Sequence, residues 1–194
     1  MEAKYVWYVS YGSNMCRQRL DCYLQGGRPE GATRTYPGAR DRTPPQADAA
    51  VELPGRVYFA GHSPTWGGGI AFYDHAEAGP TLARAYLITV GQFADVAAQE
   101  MRRDPRPNSV VEQVLMSGLP AGRYEVGPGR YETLLDLGQR EGAPMYTFTA
   151  PDSLGDAAHA DPTTPYLAML CQGLQESRRW PVARARAHFT SLFR

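Results

Sequence analysis

Tyr8-Val9-Ser10-Tyr11-Gly12-Ser13-Asn14-Met15 reads as the end of a strand, a turn of small residues and the opening of a helix. Lys4 to Tyr11 is rich in Tyr, Val and Trp, as a buried strand is. Gly12 permits torsions closed to other residues, and Ser13 or Asn14 suits an N-cap. Met15 to Leu24 then allows about two and a half turns of helix, with Gly26-Gly27 as the stop. A junction of this kind leaves backbone N–H groups free, which makes it an anion or oxyanion site. An ordinary capped helix has the same local grammar.

The 194 residues suit one domain with a sizeable core. Twenty acids balance twenty bases, so no global field draws the chain to nucleic acid or an anionic membrane. Arginine carries nearly all of the positive charge, Lys4 being the only lysine. Twenty Gly and sixteen Pro predict many turns, while the aromatic content is too high for disorder. The sequence has no apolar run long enough to span a bilayer and no leader-like N-terminus, so the expected location is cytoplasmic. Cys16, Cys22 and Cys171 read as buried thiols rather than a disulfide framework.

Strands are expected at Arg56–Ala60, Gly69–Tyr73, Leu82–Thr89, Tyr131–Leu137 and Pro144–Thr149. Helices are expected at Val90–Met101, Pro165–Glu176 and Pro181–Phe193. Two stretches break the pattern: a loop-rich segment at 28–56, centred on Asp41-Arg42-Thr43-Pro44-Pro45, and an insertion-like segment at 102–129 with one short helix at Ser109–Ser117. Strands first and helices last favour an α+β domain with a small barrel or sheet.

The four histidines, His62, His75, His159 and His188, lack metal-ligand spacing, which argues against a zinc hydrolase such as a zinc-dependent deacetylase. Gly12-Ser13 lacks the second half of a nucleophile elbow. Gly67-Gly68-Gly69 lacks the Lys-Ser/Thr of a phosphate loop, so it marks a close backbone approach or one wall of a roomy pocket. A carboxylate remains as the reactive group. Glu100 follows Phe93, Val96 and Ala97 along a helix, either as a solvated end residue or as an acid aimed into a pocket.

Several separated segments together are similar to the γ-glutamyl cyclotransferase-like superfamily, which includes γ-glutamylamine cyclotransferases and avirulence-induced-gene-like proteins. They are Tyr11-Gly12-Ser13-Asn14-Met15, Thr65-Trp66-Gly67-Gly68-Gly69-Ile70-Ala71, Ala85-Tyr86-Leu87-Ile88, Gln99-Glu100, Tyr146-Thr147-Phe148-Thr149 and Pro165 to Glu176. The resemblance spans residues 5–190, apart from weak matches at 28–56 and 102–128, and implies a small mixed β-barrel with flanking helices and a C-terminal helical segment, as one domain over 1–194. It also implies a metal-independent, cofactor-free reaction. The α-amine of a γ-glutamyl group attacks its own side-chain amide, giving 5-oxoproline and a free amine or amino acid.

By the same resemblance Glu100 is the general acid/base. Tyr11, Gly12, Ser13 and Asn14 hold the γ-glutamyl group, and Tyr146 and Tyr131 are pocket tyrosines. The expected partner is a small γ-glutamyl substrate, with neither nucleic acid nor membrane, and the long loop and exposed aromatics allow a homodimer. The family usually has Gly after the glutamate, where this chain has Met101. A side chain there narrows the pocket or shifts the acid, and 102–129 then serves as a lid or partner surface. Those two departures favour a second reading, a non-catalytic binding domain on the same fold. A third is an amide-cleaving enzyme acting on a modified metabolite or protein side chain. Arg42 is expected to pair with a neighbouring acid.

Overall fold

The computed structural model describes residues 4–30 and 32–193, so the extension of the domain over residues 1–3, 31 and 194 lies outside the described residues. The strands are β1 (Tyr5–Ser10), β2 (Ala47–Pro54), β3 (Arg56–Ala60), β4 (Ile70–Asp74), β5 (Pro80–Thr89), β6 (Arg123–Glu125), β7 (Thr133–Arg140) and β8 (Ala143–Thr149). The helices are α1 (Arg17–Leu24), α2 (Val90–Glu100), α3 (Val110–Ser117), α4 (Thr164–Arg178) and α5 (Val182–Thr190).

Six strands form one mixed sheet in the order β2-β5-β1-β8-β7-β6, with only β1 and β8 parallel. β1 is central because Val6, Trp7, Tyr8 and Val9 are apolar on both faces, which only a strand covered on both sides tolerates. The hairpin β3–β4 is a separate two-stranded sheet.

The architecture is α+β, as expected, but the backbone ladder does not close into a barrel. Side-chain hydroxyls make the join instead. Thr149 Oγ1 on β8 accepts from Tyr73 N (3.0 Å) and donates to Tyr73 O (2.9 Å) on β4, and Thr81 Oγ1 donates to Gly55 O (2.9 Å).

β2 lies inside the stretch expected to be loop. Its burial alternates along an antiparallel register with β5, from Ala47 opposite Leu87 to Pro54 opposite Pro80. Inward Ala47 and Ala49 give little hydrophobic contrast, so the period was hidden. Among the described residues Arg42 pairs with no acid; it donates to the backbone carbonyls of Gln25 (3.2 Å) and Pro37 (2.9 Å).

The 102–129 segment folds against α2. Ser109 caps α3 through Glu112 N, Leu115 is fully buried, and Lys4 Nζ donates to Leu115 O (3.0 Å) and Met116 O (3.1 Å) at the helix end. A cation there satisfies carbonyls that have no partner within the helix. All three cysteines are free and buried.

Candidate active site

The chain leaves β1 at Ser10 and makes a single 3-10 turn, Ser13–Met15, before α1. Gly12 sits at φ −112°, ψ −152°, which other residues adopt, so torsion does not require glycine here. A Cβ would point towards Ala71 and the Tyr166 hydroxyl, each 3.6 Å away, so the missing side chain leaves room.

The turn is clamped from both sides. Met15 O accepts from Arg84 Nη1 (2.9 Å) and Tyr86 OH (2.8 Å). Arg84 also binds Glu176 (2.6 Å) on α4, whose other role is to accept the Arg17 amide (2.9 Å) at the start of α1. An acid suits that helix end. α4 packs so closely that a Cβ on Gly173 would lie 2.4 Å from Met15 Cβ.

Glu100 is the last residue of α2, a helix opened by a capping box between Thr89 and Gln92. The helix closes in a Schellman arrangement, with Arg103 N donating to Ala98 O (2.8 Å) and Arg102 N to Gln99 O (3.0 Å). The left-handed residue of that motif is Arg102, at φ +59°, while Met101 has an ordinary φ of −86°. The position after the glutamate therefore has no torsional need for glycine. The Met101 methyl lies against Gly129, where a Cβ would come within 2.1 Å of it, and Met101 does not line the cavity that Glu100 enters.

Glu100 Oε1 accepts a hydrogen bond from Asn14 Nδ2 (2.9 Å), and the same nitrogen donates to Tyr8 OH (3.0 Å). Asn14 is thus no helix cap; α1 is N-capped by Cys16 without a side-chain bond. The backbone N–H groups of Gly12, Ser13 and Asn14 donate to no protein acceptor among the described residues.

Glu100, Tyr11, Gly12, Ser13, Asn14 and Tyr131 line one cavity of about 700 Å³ of atom-free space, part of it open to solvent. Tyr11 OH donates to Phe148 O (2.8 Å) and Tyr131 OH to Ala71 O (3.0 Å). Tyr146 does not line it. It is buried near Asp136 and Leu119, and the part of β8 that reaches the cavity is Thr147 and Phe148. Gly67–Gly69 do not line it either. Gly69 passes so close to Ala160 O that a Cβ would sit 1.9 Å from it, which is the close backbone approach.

The sequence reading missed Tyr8, Arg19, Tyr23, Tyr36 and Tyr166, which also line the cavity. Arg19 is 3% exposed and packs against the touching rings of Tyr23 (4.2 Å) and Tyr36 (4.5 Å), donating to both hydroxyls. Its Nε and Nη1 have no partner among the described residues. The spacing Arg19–Tyr23, one helical turn, was the available signal. Burial by itself would lower the Arg19 pKa, but Tyr23, Glu100 and Tyr36 outweigh it and hold the guanidinium charged. Burial pushes Tyr166 up to about 12 and drives Tyr8, Tyr23 and Tyr131 upward. These phenols keep their protons at neutral pH and do not serve as bases; Tyr131 OH donates, while the Tyr8, Tyr23 and Tyr166 hydroxyls accept from Asn14, Arg19 and the Ala71 amide. Among the described residues, no three His, Cys, Asp or Glu side chains group so as to hold a metal ion.

No protein-family model matches the chain. A human protein described as uncharacterized superposes with a TM-score of 0.55 at 15% identity, covering 95% of this chain and 86% of that one. A solved γ-glutamyl cyclotransferase covers the same shares at 14% identity and a TM-score of 0.48. This chain shares its fold with that uncharacterized human protein. Histone deacetylase 5 of Arabidopsis thaliana is 30% identical over 197 residues, matching 94% of this chain, and the chain spans 30% of that protein's length. The cavity is walled by residues of β1, β4 and β8 together with loops and helix ends. Among the described residues no helix is long and apolar enough to cross a membrane.

Proposed function

We propose that this protein is a γ-glutamyl cyclotransferase-like enzyme, which releases an amine from a γ-glutamyl amide as 5-oxoproline forms. The observation that carries this reading is the Glu100 carboxylate, held by Asn14 in the same cavity as the Tyr11–Asn14 loop. The substrate supplies its own nucleophile, so the protein has to hold the chain bent and move protons. Glu100 takes a proton from the α-ammonium, whose nitrogen then attacks the side-chain carbonyl carbon. The N–H groups of Gly12, Ser13 and Asn14 are donors for the oxyanion or the α-carboxylate. The attacking nitrogen then gives up a second proton, and Glu100 relays both protons to the departing nitrogen as the original C–N bond breaks, so the ring nitrogen ends as the neutral N–H of 5-oxoproline and the amine leaves as its ammonium form. The placement of Met101 outside this cavity favours the enzyme over a non-catalytic binding domain.

The test is incubation with γ-glutamyl-amino acids and γ-glutamyl-amines, following 5-oxoproline by mass spectrometry. Release from at least one member is expected. No release from any member, by a folded protein, overturns the reading.

A further inference from the structure

The cavity's charge is lopsided in a chain whose formal net charge is zero. Four arginines line it, Arg19, Arg34, Arg102 and Arg130, against one acid, Glu100. Arg19 is deep and its charge faces that of Glu100. The other three are half-buried or exposed, come from three separate loops, and form no ion pair among the described residues.

Two of the three are held in place without spending their charge. The Arg34 guanidinium lies over the Tyr36 ring at 5.2 Å, and Arg130 Nη1 donates to His62 O at 3.4 Å. Arg102 has its left-handed backbone anchored at the end of α2, two residues from Glu100, and its exposed side chain borders the cavity. Three guanidinium groups around one cavity, unpaired with acids among the described residues, make an anion site, since each offers charge-assisted bonds to a carboxylate or phosphate.

The γ-glutamyl end carries one amine and one carboxylate, so it does not answer this field. We propose that the leaving portion of the substrate carries at least two negative charges and is bound by Arg34, Arg102 and Arg130. This rests on the reading of the cavity as a cyclotransferase site, and it names the chemistry of the half of the substrate that the reading leaves open. A neutral alkylamine leaves all three arginines unanswered, a simple amino acid answers one, and a cationic diamine is repelled.

The experiment measures kcat/KM for 5-oxoproline release from the γ-glutamyl amides of glutamate, alanine, methylamine and diaminobutane, whose leaving portions carry −2, −1, 0 and +1. The expected order follows the charge. The glutamate compound should exceed the methylamide by about 100-fold at low ionic strength, a gap that narrows in 0.5 M salt by screening. Arg34→Gln, Arg102→Gly and Arg130→Gln should each cut the glutamate compound by about tenfold and leave the methylamide within about twofold. Arg102→Gly keeps the left-handed turn, so its effect reports the charge. A flat charge series, or a preference for the diamine, overturns this inference while the cyclotransferase reading stands. Failure of every compound to give 5-oxoproline overturns both.

Discussion

Asn14 Nδ2 lies 2.9 Å from Glu100 Oε1 and 3.0 Å from the Tyr8 hydroxyl, so one amide joins the turn after β1 to the end of α2. The turn and the helix end are 86 residues apart in sequence, and this contact sets the acid beside the loop's amides.

Glu100→Gln keeps the shape and the hydrogen-bonding reach of the side chain but cannot cycle a proton. Release of 5-oxoproline from the best substrate should fall by a factor of about 10² to 10⁴, with the urea midpoint unmoved. A variant as active as the parent would remove Glu100 from the mechanism.

Tyr131 and Tyr146 separate a cavity wall from a core position. Tyr131→Phe leaves Ala71 O short of a donor, which should cost about 1–3 kcal/mol of stability and lower kcat/KM. Tyr146→Phe, away from the cavity, should change kcat/KM by less than about twofold. Steady-state kinetics on the two variants decides; the opposite ranking would move the site along β8.

Gly173→Ala drives a methyl group into Met15 Cβ and the Cys16 amide nitrogen. Either α4 or the turn has to shift, at a cost of about 1–3 kcal/mol or more in urea denaturation, and activity should drop with it. Unchanged stability together with unchanged activity would show that the α4 clamp does not position the turn.

His188 packs between Trp180 and Phe189, and burial, aided by Arg178, lowers its pKa from the ordinary 6.5. The fold thus favours the neutral ring. Its contribution is complete above pH 6.5 and is lost as the pH falls through the lowered folded value. Urea denaturation at pH 7.5 and 5.5 should show a loss of stability in the parent and a smaller loss in His188→Gln. Equal losses would assign the acid sensitivity to other groups.

The strands with strong apolar contrast and the helices with clear periods were legible: Arg56–Ala60 matches β3 residue for residue, and α2 differs from its expected end by one residue. β2 was not, because alanine at its inward positions looks the same in a strand and in a loop. Glu100 and the Tyr11–Asn14 loop were legible through motif order. Which way Asn14 turns was not, since a cap and a bridge use the same residue. Arg19 stayed hidden because an arginine in a short helix reads as solvated. Its burial depends on Tyr36, 17 residues on and in irregular chain.

The parallel pairing of Tyr8 with Tyr146 has a consequence for synthesis. A chain emerging from the ribosome exposes β1 long before β5 and β8 exist to flank it, and the Tyr11–Asn14 turn waits longer still for Gly173 and Glu176. Nascent chains should hold an unpaired, strongly apolar strand through most of translation, a state prone to sticking and suited to chaperone capture. The cavity is incomplete until α4 has left the exit tunnel, so it is born late and nearly all at once.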